Sequence, residues 1–147
     1  MKDGRKLKPA DLYNFSEGIS VIAVDDLKQG DLVVACGLSG RQMLVRKATS
    51  LREEDLVLPL FIAKHDMPGC GSNRPVNSNY GIVLPWLVLT KNVDTQGCAI
   101  GDLVVLAEDG AHKLSQDGRH VGHVLRVGPP SAQDGGDPNS GVILLKP

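Results

Sequence analysis

Aromatic side chains are scarce in this sequence: five among 147 residues, namely Tyr13, Phe15, Phe61, Tyr80 and Trp86. Platforms that stack nucleobases need clustered aromatic faces, so this chain has little with which to hold single strands. A surplus of positive charge is missing too, with 16 Lys and Arg against 17 Asp and Glu. That balance argues against nucleic-acid binding through counterion release. The three cysteines (Cys36, Cys70, Cys98) are an odd number at irregular spacings. They make no disulfide framework, and a reducing compartment is expected. Long apolar runs are absent as well; the longest, YGIVLPWLVL, is interrupted by Pro85 and falls short of a membrane helix. The first residues lack the apolar core of a signal peptide, so a soluble, untargeted chain is the expectation.

The length suits one domain, or two small lobes sharing a core. A chain of this size buries about two thirds of its unfolded surface and needs no metal or cross-link to hold together. Charge is unevenly spread: MKDGRKLK (1–8) holds four bases and one acid, leaving the remainder net −4.

From Gly18 onward, short β-branched and aliphatic runs alternate with turn signals. ISVIAV (19–24), DLVVAC (31–36), MLVRKA (43–48), LVLPLFIAKH (56–65), GIVLPWLVLTK (81–91), DLVVLA (102–107), HVGHVLRVG (120–128) and VILLK (142–146) read as strands, with Pro59 at an edge or bulge. SLREED (50–55) reads as a helical turn capped by Ser50. Two polar stretches, 66–79 and 129–141, read as loops whose length favours function or mobility. The pattern predicts an all-β fold, a compact barrel or sandwich with very little helix. Residues 1–16 form an extended arm and 17–147 a β-rich domain, divisible into lobes 17–65 and 80–147 joined by the loop 66–79.

GDLVV occurs twice, at Gly30–Val34 and Gly101–Val105. Gly before Asp suits a tight turn in which Asp31 or Asp102 bonds local backbone. Leu-Val-Val does not alternate with polar residues, so each copy suits a strand covered on both faces or lying between two sheets. A phosphate cradle needs glycines leading into a helix, whereas a strand follows here. The repeat therefore reads as architecture built twice.

Chemistry-bearing patterns are thin. His120 and His123 form an HxxH, but residues three apart on a regular strand face opposite ways and cannot share an ion. Asp25–Asp26 and Glu53–Glu54 are neighbouring turn acids, a pattern that is usually solvated. In DMPG (66–69) the context of a serine–lysine peptidase nucleophile carries Asp66 where the hydroxyl belongs. Ser39 sits in a turn with nothing in the sequence to pair it with a base. No catalytic residue, cofactor or metal is expected. The basic arm offers a binding element instead: Lys2, Arg5, Lys6 and Lys8 to meet acidic groups, with Tyr13 and Phe15 as apolar anchors. It buries too little apolar surface to fold alone, so it is expected to be mobile until it docks. The bland alternative is a frayed, solvated terminus.

The run VDTQGCAIGDLVVLAEDG, followed by VGHVLRV and VILLK, resembles phage head-decoration (capsid cement) proteins. The matching residues are Val93-Asp94-Thr95, Gly97, Gly101-Asp102, Val104, Leu106, Val121-Gly122, Val124-Leu125 and Val142–Leu145, covering residues 80–147; the first half matches only in style. The resemblance implies a compact β-barrel or β-tulip-like fold and a non-enzymatic homotrimer. It implies a place on the outer surface of the virion, on the major capsid protein of the expanded head, with the protein made in the host cytoplasm. An N-terminal arm reaching over capsid subunits also belongs to it. Nucleic acid and membrane are not expected partners. Two other classes stay open: a β-clip or SAF-like module binding a small ligand, suggested by AVDDLKQGDLVV, and a degenerate serine–lysine peptidase.

Overall fold

The computed structural model describes residues 3–7, 11–13, 17–70, 80–85, 87–128 and 141–146, with backbone only at 11, 13, 91 and 92. Lys2, Lys8 and Phe15, the side chain of Tyr13, and the polar stretches 71–79 and 129–140 lie outside the described residues.

The fold is all-β. The described residues form twelve strands: β1 (Lys6–Leu7), β2 (Asp11–Tyr13), β3 (Ile19–Ala23), β4 (Leu32–Ser39), β5 (Gln42–Lys47), β6 (Leu60–Ala63), β7 (Tyr80–Leu84), β8 (Val88–Val93), β9 (Leu103–Leu106), β10 (His112–Leu114), β11 (His120–Arg126) and β12 (Gly141–Leu145). Five of them close a barrel in the order β3-β5-β4-β6-β7. The other seven form one sheet in the order β1-β10-β9-β11-β12-β8-β2. The run 81–91, read as one strand, is two: Pro85 falls between β7, which completes the barrel, and β8, which starts the second sheet. The division between the halves therefore lies after Leu84, not in the loop 66–79.

The two halves also share a core. Leu32, Val34, Leu60, Ile62 and Leu84 from the barrel pack with Val88, Val93, Val104, Leu106, Leu114, Val121, Val124, Ile143 and Leu145 from the second sheet. Val33 points the other way, into the barrel's own interior with Val21, Val45, Ala63 and Val83. Leu-Val-Val in β4 is thus covered on both faces, as its lack of alternation requires.

The GDLVV repeat marks a duplicated unit. Strands β3–β7 lie side by side as β3-β7-β6-β4-β5, and β8–β12 as β8-β12-β11-β9-β10, which is the same arrangement. Asp31 N–H donates to Lys28 O (3.0 Å) while Lys28 N–H donates to the Asp31 carboxylate (2.9 Å). Asp102 N–H donates to Ala99 O (3.1 Å) while Ala99 N–H donates to the Asp102 carboxylate (2.8 Å). Gly30 and Gly101 hold φ of 90° and 91°, the left-handed conformation that favours glycine. Each turn is then fixed to the neighbouring strand alike. Gly30 donates to Ala63 O and Ala63 to Asp31 O; Gly101 donates to Val124 O and Val124 to Asp102 O. Replacing Asp31 or Asp102 by Ala removes one such closure, with an expected loss of about 0.5–2 kcal/mol by analogy with capping residues. Urea unfolding of the two variants measures it, and similar losses at both sites are expected.

Candidate docking site

The structure corrects the picture of a free N-terminal arm. Its described part is paired along the edges of the second sheet: Lys6–Leu7 on β10 and Asp11–Tyr13 on β8. Leu7 is fully buried and Leu12 nearly so, both within the shared core. Lys6 Nζ lies 2.8 Å from Asp109, whose hydrogen bond raises the Lys6 pKa and lowers that of Asp109. The Arg5 guanidinium reaches Cys98 Sγ at 3.2 Å and lies within 4.0 Å of Asp94. Two of the four bases expected to meet an acidic partner thus already have partners in their own chain.

Other sequence readings also change. The HxxH histidines come together, with ring centroids 4.7 Å apart in an edge-to-face contact. A register shift between His120 and Gly122 disrupts the regular alternation that the opposite-face argument assumed. Their meeting still makes no metal cluster: among the described residues no group of three or more His, Cys, Asp or Glu could hold an ion. Asp25 and Asp26, read as solvated, accept hydrogen bonds from the amides of Lys47 (2.9 Å) and Gly69 (2.7 Å). Asp66, in the peptidase-like DMPG context, accepts from the Gln29 amide at 2.8 Å. A cavity of about 340 Å³ lies there, lined by Asp26, Leu27, Lys28, Asp66, Met67 and Pro68. Asp31 and Asp102 close turns, as expected of structural residues.

The connection from β5 to β6 has a different character. Its helical turn is a 3-10 segment, Glu53–Leu56, flanked by Arg52, and no side chain caps it; Ser50 does not play the expected part. The anchor is Asp55, fully buried beneath exposed Glu53 and Glu54. Its carboxylate receives both Arg46 terminal nitrogens, at 2.8 and 2.6 Å, and the Thr49 amide at 2.9 Å. Burial opposes the charge, but the Arg46 and Thr49 hydrogen bonds outweigh it and hold the Asp55 pKa below the usual value. The second half joins in: Arg119 donates to the Asp55 carbonyl at 3.0 Å and to the Leu58 carbonyl. Ser50 N–H donates to Ala107 O at 3.0 Å.

This firmly held knuckle presents apolar side chains to solvent. Leu51 and Val57 are each 80% exposed and Leu56 is 42% exposed. Leu38 and Ile100 are exposed to a similar degree, on the β4–β5 hairpin and in the turn before β9. Beside Val57 lies an open depression of about 480 Å³, lined also by Glu53 and Glu54. Sequence reasoning missed the knuckle because LREEDLVL was divided between a helical turn and a strand. Its one signal was a block of three acids (Glu53–Asp55) set between Leu51 and the aliphatic run Leu56–Leu58.

Comparison with known protein families, with characterised proteins and with solved structures finds no match for this chain.

Proposed function

We propose that the chain is a non-catalytic docking protein of the phage head-decoration kind. In this reading it sits as a homotrimer on the outer surface of the expanded head and stabilises the shell through contacts with the major capsid protein. The carrying observation is the knuckle, where Leu51 and Val57 are 80% exposed on a connection fixed from below by a buried Arg46–Asp55 pair. A binding element already held in one shape loses little conformational entropy on docking. Aliphatic side chains inserted in a partner's pocket hold the complex, while Glu53 and Glu54 at the rim favour a basic surround and set the association rate. The resemblance of residues 80–147 to decoration proteins supplies the kind of partner and the threefold assembly.

Changing Leu51 and Val57 together to Asp removes the apolar anchor without touching the Arg46–Asp55 pair. Loss of one good anchor costs about 2 kcal/mol, so capsid affinity should fall at least tenfold, with the melting temperature unchanged. Co-sedimentation with expanded phage heads measures the first and a thermal melt the second. Unchanged binding by the double variant would move the docking surface elsewhere. A trimer is expected in sedimentation equilibrium, and a monomer both free and on heads would count against the assembly.

A second reading is favoured by the cavity at Asp26, Lys28 and Asp66, where Asp26, Leu27 and Lys28 of the AVDDLKQGDLVV segment that suggested a β-clip ligand module face Asp66, Met67 and Pro68. Lys28 Nζ stands 3.8 Å from Asp66, leaving an exposed acid–base pair at the mouth. A concentration-dependent rise in melting temperature with small sugars or organic acids, lost in Asp66→Ala, would support it.

A further inference from the structure

The two halves share a strand arrangement but close differently. In the first, β3 pairs directly with β5, in parallel. In the second, the corresponding strands β8 and β10 do not pair, and each carries a piece of the N-terminus instead: β1 runs antiparallel to β10, and β2 antiparallel to β8. Only residues 8–10 separate β1 from β2, so the two edges lie within about 14 Å of chain reach. The N-terminus is thus stitched along the seam where the second half would otherwise close on itself, antiparallel to both lips.

We propose that this seam is a strand-accepting groove, and that in assemblies of this protein it takes the N-terminal strand of a second copy. The inference is independent of which surface the assembly sits on. The inserted segment belongs to neither repeat, and the first half closes without any such strand. Its attachments join residues far apart in sequence: Lys6 with Lys113, Leu12 with Thr90, and the Lys6–Asp109 ion pair. A neighbour's segment can make each of them with the same geometry, so exchange creates no new interface and suits a closed symmetric assembly. The chemistry demanded of the occupant is narrow. It must be extended, offer backbone groups on both sides, bury leucines at the positions of Leu7 and Leu12, and present a base to Asp109. The chain's own β1 and β2 meet these demands, one at each lip. Five residues, 14–18, join β2 to β3, and they span about 20 Å when extended. Donor and acceptor bodies must therefore be close neighbours, as around a threefold axis.

Cross-linking of full-length chains tests this. In a background with Cys36, Cys70 and Cys98 changed to Ser, one chain carries Lys6→Cys and the other Lys113→Cys, which are register partners across the seam. A second pair, Asp11→Cys with Lys91→Cys, spans the other lip. The two chains are co-incubated and mildly oxidised. The expected result is a disulfide-linked heterodimer from at least one pair, well above a control in which Lys6→Cys is mixed with Arg52→Cys. Placing both cysteines of a pair on one chain reports the same contact made internally. Internal cross-links without heterodimer, or no heterodimer from either pair after prolonged co-incubation, overturn the proposal.

Discussion

Mild acid is expected to destabilise this protein by roughly 3 kcal/mol between neutrality and pH 4, mostly through one side chain. His112 is fully buried on β10, directly opposite Leu7 of β1, and neither ring nitrogen has a hydrogen-bond partner among the described residues. Burial alone lowers its pKa to about 4 from 6.5. The unfolded chain therefore takes up the proton first. Stability is complete above the unfolded value, falls as pH drops through 6.5, and levels off below about 4. Carboxylates do not imitate this. The lowered pKa of Asp55 places its loss of stability below the ordinary carboxylate range, and the raised pKa of Asp31, due first to burial, acts in the opposite direction. Replacing His112 by Leu removes the titrating group and two unsatisfied polar atoms from the core. The variant should be more stable at pH 7.5 by about 1–3 kcal/mol, the penalty of a buried unpaired polar group. It should also lose most of the slope between pH 6.5 and 4.5. Urea unfolding at three pH values decides this, and parallel slopes for the two proteins would refute it.

Removing the Asp55 carboxylate should be more damaging still. Asp55→Ala leaves Arg46, only 13% exposed, without its bidentate partner, and leaves the Thr49 amide without its acceptor. Breaking one side of a buried pair typically costs about 3–5 kcal/mol, because the remaining charge stays desolvated. The pair itself need not be strongly stabilising, so the double change Arg46→Met with Asp55→Leu should recover much of the loss. The two variants separate stability from function. If the knuckle docks as proposed, Asp55→Ala should weaken that binding, since the connection carrying Leu51 and Val57 loses its anchor. Protease cleavage within 50–58 should rise with it. A loss below about 1 kcal/mol would mean that the pair does not hold the knuckle.

What the sequence revealed, and what it hid, follows from the range of the interactions. The all-β class was legible in short aliphatic runs between turn signals, and the duplication in GDLVV, because turns and strands are specified locally. The fate of the N-terminus was not. Leu7 and Leu12 stand in a polar stretch with no period, and their burial depends on strands whose register partners, His112 and Thr90, lie far along the chain. His120 and His123 met because of a bulge that no spacing rule anticipates. Asp55 looks like its neighbours Glu53 and Glu54 in the sequence; only Arg46, Thr49 and Arg119, brought up from three places, single it out.

The claim that the knuckle is the docking surface is tested most directly by a photo-cross-linker. Benzoylphenylalanine is placed at Leu51, or at Leu38 as another exposed apolar position for control, and the protein is irradiated on expanded heads. The account predicts an adduct with the major capsid protein from position 51 and little from position 38. Efficient cross-linking from 38 with none from 51, in protein that co-sediments normally, would contradict it.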